Sequence, residues 1–175
     1  GIGTLFEQVR SLVLGRDVNL DDRVAAIRLL AFDDADDALP LLSGFLGPQR
    51  TKPMQSAAVG ALSAHPAKRV APVLLSAWRS LSPEIRRDAI DLLISTNVGV
   101  QHLLDGIESQ PVNPSDIERD RKQVLMRHRD SRSRSRRTAL LGSNITSNRM
   151  QVVADHQHVL LLGSNIDRGR KVFQE

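Results

Sequence analysis

Three stretches of the chain repeat one arrangement of apolar and polar positions: Arg23-Val24-Ala25-Ala26-Ile27-Arg28-Leu29-Leu30, Gln55-Ser56-Ala57-Ala58-Val59-Gly60-Ala61-Leu62 and Arg86-Arg87-Asp88-Ala89-Ile90-Asp91-Leu92-Leu93. Each places a small Ala, then a β-branched residue, then a Leu three further on. Ala26, Ala58 and Ala89 lie 32 and 31 residues apart, and Leu30, Leu62 and Leu93 keep the same spacing. On a helix the β-branched residue and the Leu fall one and four positions after the Ala, on one face, and the Ala lets a neighbouring helix approach closely. A second apolar segment follows each stretch, over 39–46, 70–81 and 98–107. Two helices per unit of about 32 residues predict an all-α fold, an α-solenoid of HEAT-like helical pairs or α-α superhelix. One such unit cannot bury its own apolar face, so neighbours must stack.

The punctuation between these segments agrees. Thr4-Leu5-Phe6-Glu7 reads as a capping box opening a first helix that Gly15 ends. Asp21 and Asp22 are candidate caps for the next helix, Gly47-Pro48 is a stop and turn, and Ser82-Pro83 places a cap before Pro at the first helical position. Pro40 and Pro72 fall near the starts of second helices; a helix beginning as early as Ala67 would be expected to kink at Pro72.

Past Pro111 the period breaks. Ser115-Asp116-Ile117-Glu118 predicts a capping box and a helix to about His128; a further helix is expected over 130–141, ended by Gly142. Thr146 or Ser147 opens another to Leu162, and Asp167 opens a last one. The division that results is 1–111 for the regular helical repeats, 112–163 for a continuing, less regular helical region, and 164–175 for the start of something else. Leu-Leu-Gly-Ser-Asn-Ile at 140–145 and again at 161–166 reads as two similar helix C-caps. Neither Val152-Val153 nor Ile166 belongs to an alternating run that would predict a strand.

Composition sharpens this reading. Apolar residues are 41% of the chain but aromatics only 3%, so the core is built from Leu, Ile, Val and Ala, which favours packed helices over a sandwich of sheets. With no cysteine, disulfides, thiol catalysis, Cys-bound zinc and covalent haem attachment through this stretch are excluded. No run reaches the roughly 18 apolar residues of a membrane span. The net charge of +4 is local: residues 115–140 hold nine Arg or Lys against four Asp or Glu, leaving the rest slightly negative.

The candidate chemistry is sparse. Arg132, Arg134, Arg136 and Arg137, in the Ser-Arg alternation of 131–137, form the one possible interaction surface. Such a run can hold phosphate backbones. No aromatic is interleaved for base stacking, so a solvated helix face or a docking surface for an acidic neighbour is favoured over nucleic acid. Asp33-Asp34-Ala35-Asp36-Asp37 lacks the glycine turn and bidentate Glu of a calcium loop and reads as an inter-helix turn with acids at the next N-terminus. His65, His102, His128, His156 and His158 show no metal-ligand spacing. Trp78, among Leu74, Leu75 and Leu81, is a core or groove anchor. No phosphate loop, nucleophile elbow or paired catalytic carboxylate is readable, so no catalytic, cofactor-binding or metal-binding residue is assigned.

Several segments carry a family resemblance. Trp78-Arg79-Ser80-Leu81-Ser82-Pro83-Glu84-Ile85-Arg86, Leu103-Leu104-Asp105-Gly106-Ile107-Glu108, and Leu125-Met126-Arg127-His128-Arg129-Asp130 followed by Leu140-Leu141-Gly142 resemble the HEAT-like helical region of large secreted planctomycete-type proteins. In that family the region lies between a β-propeller similar to glucose/sorbosone dehydrogenases and a C-terminal c-type cytochrome. Asp167-Arg168-Gly169-Arg170-Lys171-Val172-Phe173 looks like the first helix of that cytochrome, whose Cys-x-x-Cys-His motif would follow beyond Glu175. The likeness covers roughly residues 20–175. The chain begins Gly1-Ile2-Gly3 without Met and ends inside a helical pattern, so both ends read as cut.

The resemblance implies a non-catalytic helical scaffold or linker in a larger dehydrogenase–cytochrome protein. Its partners would be the flanking propeller and cytochrome of the same polypeptide, its location extracytoplasmic (periplasmic or secreted), and its haem c held outside this segment. The alternative is a free-standing HEAT-type module that binds an acidic protein or nucleic acid. An enzyme in its own right has no residues to support it.

Overall fold

All three Ala-anchored stretches fold as α-helices in the computed structural model, which describes residues 2–142. The chain runs through α1 (Ile2–Leu14), α2 (Leu20–Leu29), α3 (Ala35–Gly44), α4 (Lys52–Leu62), α5 (Ala67–Ser76), α6 (Pro83–Ile94), α7 (Asn97–Glu108), α8 (Arg119–Arg127) and α9 (Arg134–Leu141). Short 3-10 turns occupy Leu30–Phe32, Trp78–Ser80 and Pro114–Asp116. Among the described residues there is no strand, and the fold is all-α. Residues 1–140 make one compact unit, so 112–140 pack with the regular helices; a second unit, 141–175, lies almost wholly outside the described residues. The helices expected over 146–162 and from Asp167, the second Leu-Leu-Gly-Ser-Asn-Ile copy, and His156 and His158 all lie there.

The repeat sets where helices begin. Asn19, Thr51 and Ser82 are the N-caps of α2, α4 and α6, at the spacing of the Ala anchors. The Asn19 side chain accepts from the Asp22 amide at 2.9 Å and the Ser82 hydroxyl from the Ile85 amide at 3.4 Å. Asp21 and Asp22 are therefore not the caps the sequence suggested. They sit in the first turn, where a carboxylate still meets the positive end of the helix dipole. Thr4 opens no capping box either. α1 already begins at Ile2, because propagating a helix back over two residues costs little when no proline blocks it.

α2 packs on α4 and α4 on α6; α3 packs on α5 and α5 on α7. α1 packs against α2, and α8 continues from α6. The anchor triplets Ala26-Ile27-Leu30, Ala58-Val59-Leu62 and Ala89-Ile90-Leu93 are all buried, with Leu42, Leu46, Leu74, Leu103 and Leu104. α5 does begin at Ala67 and runs through Pro72 to Ser76. Pro40 holds the matching sixth position of α3. Both prolines face water, where a carbonyl that loses its helical partner can be hydrated.

Polar contacts repeat with the same period. Arg23 donates to the Gly15 carbonyl, Gln55 to the Gly47 carbonyl at 3.0 Å and Arg86 to the Trp78 carbonyl at 3.2 Å, each reaching back eight residues. These three positions stand three residues before the Ala anchors. Ion pairs join elements one period apart: Lys52 with Glu84, Arg69 with Asp36 at 2.5 Å and Arg121 with Asp91 at 2.7 Å.

The region after α7 departs from the sequence expectation in two places. Asn113, not Ser115, caps the turn at 114–116, in a reciprocal box with Asp116, and α8 starts only at Arg119. Pro114 suits the first position of such a turn, and the Asp116 carboxylate is also engaged by the Trp78 indole, which holds the turn in place. The helix expected over 130–141 starts at Arg134, because Asp130 folds its own carboxylate onto the following residues. Gln110, just past α7, has φ 71°, the left-handed conformation that ends many helices.

Candidate functional site

Arg132, Arg134, Arg136 and Arg137 do not form one exposed surface. Arg132 and Arg134 face solvent, Arg136 is half-buried and Arg137 is only 1% exposed. The reason lies in the segment between α8 and α9. The Asp130 carboxylate accepts from the Arg132 amide at 3.0 Å, the Ser133 hydroxyl at 2.9 Å and the Gln101 side chain of α7 at 2.7 Å. This tight turn aims the His128 and Asp130 carbonyls inward. The Arg137 guanidinium, one turn into α9, donates to them at 3.0 and 2.9 Å and also to Ser133. The buried cation is held by these terminal N–H groups, while its Nε, like that of Arg23, is buried without a partner among the described residues.

Arg136 points to α7 instead. It makes a two-pronged contact with Glu108 at 3.0 and 2.8 Å, reaches Asp105 at 2.7 Å and donates to Gln101 at 3.1 Å. Glu108 and Asp105 together hold its guanidinium protonated even more firmly than usual. The acidic neighbour that the basic run was expected to meet is thus supplied, for Arg136, by the chain's own α7. Asp130 is held below the usual carboxylate range, first by the Ser133 hydroxyl, then by the Arg132 amide, the Gln101 amide and the charge of Arg137, against the cost of desolvation.

This arrangement docks α9 onto α7. Guanidinium groups stay protonated near neutral pH and offer only donors. Ser133 lies beside Asp130 and His128, but it is fully buried, and the His128 ring nitrogen faces the Asp130 amide at 3.4 Å and not the hydroxyl. No nucleophile–base pair results. His65 is buried with Nε2 3.0 Å from the Leu30 carbonyl, tying two successive units together. His102 and His128 are apart from it, and among the described residues no three potential metal ligands gather.

The acidic run has the structural role expected of it. Asp34 caps α3, accepting from the Asp36 amide at 2.8 Å, and Asp36 and Asp37 occupy its first turn. Asp33 is buried and takes both prongs of Arg10 from α1 at 2.7 and 2.8 Å. Arg10 is the first cause of its lowered pKa. Trp78 is buried as expected and donates from Nε1 to Asp116 at 3.1 Å. What the sequence reading missed is the set of charges one period apart. Asp36 and Arg69, Lys52 and Glu84, and Asp91 and Arg121 are separated by 33, 32 and 30 residues, close to the repeat length. No helix among the described residues is long and apolar enough to cross a membrane. No family model, curated protein or solved structure matches this chain.

Proposed function

We propose that this chain is a non-catalytic scaffold: a short solenoid of HEAT-like helical pairs α2/α3, α4/α5 and α6/α7, extended by α8 and α9. The observation that carries the reading is the packing of α2 on α4 on α6 and of α3 on α5 on α7, in chain order. The recurring caps Asn19, Thr51 and Ser82 support it. So do the recurring donors Arg23, Gln55 and Arg86. Such a stack resists bending because each unit is braced by its neighbours, and it is suited to holding two bodies at a fixed separation.

On the resemblance of residues 20–175 to the helical region of planctomycete-type secreted proteins, the two bodies are a dehydrogenase-like propeller and a c-type cytochrome in one extracytoplasmic polypeptide. Haem would belong to the cytochrome, since this chain has no cysteine thiol to attach it. The test is the open reading frame on both sides of this segment. A propeller before it and a Cys-x-x-Cys-His motif soon after Glu175 that binds haem covalently on expression support the linker. Flanks of any other chemistry overturn the dehydrogenase–cytochrome assignment and leave the scaffold to be judged by its mechanics.

A further inference from the structure

The donors at the repeated position three residues before each Ala anchor are not equally served. In the third unit Arg86 caps the Trp78 carbonyl and also has the Asp116 carboxylate 3.4 Å away. In the second unit the position is neutral Gln55. In the first unit Arg23 caps the Gly15 carbonyl, lies 3.5 Å from the Arg16 carbonyl, and has no carboxylate among the described residues; its Nε is enclosed without a hydrogen-bond partner. The Arg23 side chain borders an open pocket of about 290 Å³, lined also by Val13, Leu14, Gly15, Arg16, Phe45 and Arg50.

Three guanidinium groups therefore border one space whose wall holds no acid. Arg50 spends its Nε on the Gly44 carbonyl at 3.1 Å and lies 5.0 Å from the Phe45 ring centroid, which fixes the guanidinium plane and leaves its terminal nitrogens unspent. Arg16 is exposed and makes no ion pair among the described residues. Where arginines of this chain meet carboxylates they are neutralised, as in Arg10 with Asp33, Arg121 with Asp91 and Arg136 with Glu108, whereas, among the described residues, Arg132 and Arg134 stand singly in solvent; what sets the present three apart is that they line one space. The remaining wall, Val13, Leu14 and Phe45, is apolar. Arginine side chains gathered beside an apolar wall match an oxyanion carried on a hydrophobic body.

We propose that the cavity between the end of α1, α2 and the α3–α4 turn binds a small organic anion, a carboxylate or phosphate on an apolar group, with Arg16, Arg23 and Arg50 taking its oxyanion and Val13, Leu14 and Phe45 its body. The anion stands to Arg23 as Asp116 stands to Arg86.

The experiment is titration calorimetry on the 175-residue chain at low ionic strength with phenyl phosphate, phenylacetate, inorganic phosphate and benzyl alcohol. Arg23→Gln is the informative variant, because the second unit already carries Gln at this position and keeps the bond to the preceding carbonyl. Its melting temperature without ligand should stay near that of the parent chain. Saturable binding of phenyl phosphate or phenylacetate, weakened about tenfold or more in R23Q and again in the exposed pair R16Q/R50Q, is the expected result. Undiminished binding in both variants overturns the site. So does equal binding of benzyl alcohol, or no saturable binding of either aromatic anion. Inorganic phosphate binding as tightly as phenyl phosphate overturns the role given to the apolar wall.

Discussion

At the scale of single residues, the anchors of the repeat are the most sensitive positions. Ala58 and Leu62 have no exposed surface. Ala58→Asp would bury an unpaired carboxylate where α4 meets its neighbours and should cost more than about 4 kcal/mol. Leu62→Ala leaves a cavity and should cost about 2–5 kcal/mol. Urea unfolding of both variants measures this, and a near-neutral result for the pair would mean that these residues are not core. Gly99 is constrained differently. A Cβ there would overlap the Leu93 carbonyl, because the third position of α7 crosses directly over the end of α6. Gly99→Ala should therefore destabilise by about 1–3 kcal/mol although Ala is the better helix former, and thermal melting reads the sign.

At the scale of elements, two polar clasps join helices, and the first of them holds α8 and α9, which carry little apolar surface of their own. Leu125 is the one buried residue of α8, and the segment between α8 and α9 depends on Arg137. Arg137→Met removes the donors to the His128 and Asp130 carbonyls without changing the bulk much. It should cost about 1–3 kcal/mol and raise hydrogen exchange in α9 while α4 and α6 stay protected. Uniform exchange across the molecule would argue against a local clasp. The second clasp, Arg10 with Asp33, joins α1 to the start of α3 and responds to pH. The folded pKa of Asp33 is lowered by Arg10, so its contribution is complete above the unfolded carboxylate value of about 4 and is lost as pH falls through the lower folded value. The stability gap between the parent chain and Asp33→Asn should be wide at pH 7 and narrow below about pH 4. A gap of constant width would show that the pair is not linked to protonation.

At the scale of the whole molecule, the proposed stacking of helical pairs in chain order implies modularity. Thr51 and Ser82 are equivalent N-caps 31 residues apart, so deleting 51–81 joins Arg50 to an equivalent helix start. A chain shortened in this way should remain helical by circular dichroism and melt in a single cooperative transition. Global unfolding would mean that α4 and α5 are not a removable unit. The ion pairs Lys52 with Glu84 and Asp36 with Arg69 bridge neighbouring units but stand largely in water, so they set register more than stability.

Helix content and repeat length were legible in the residues themselves. The Ala, β-branched residue and Leu at fixed offsets encode an apolar face through local geometry alone, and their period of 32 then 31 follows from counting. Caps were legible only in part, because Asn19, Asp21 and Asp22 are all capable and the choice among them depends on where the preceding turn delivers the chain. The fate of the arginine run was decided by tertiary structure. Nothing within 131–137 distinguishes Arg137, whose partners are carbonyls of a turn it must fold against, or Arg136, whose Asp105 and Glu108 lie about 30 residues away on α7, from the exposed Arg132 and Arg134. A side chain's charge is a property of the sequence. Whether that charge is spent depends on which groups the fold brings within a few ångströms, and that is set only once the helices have packed.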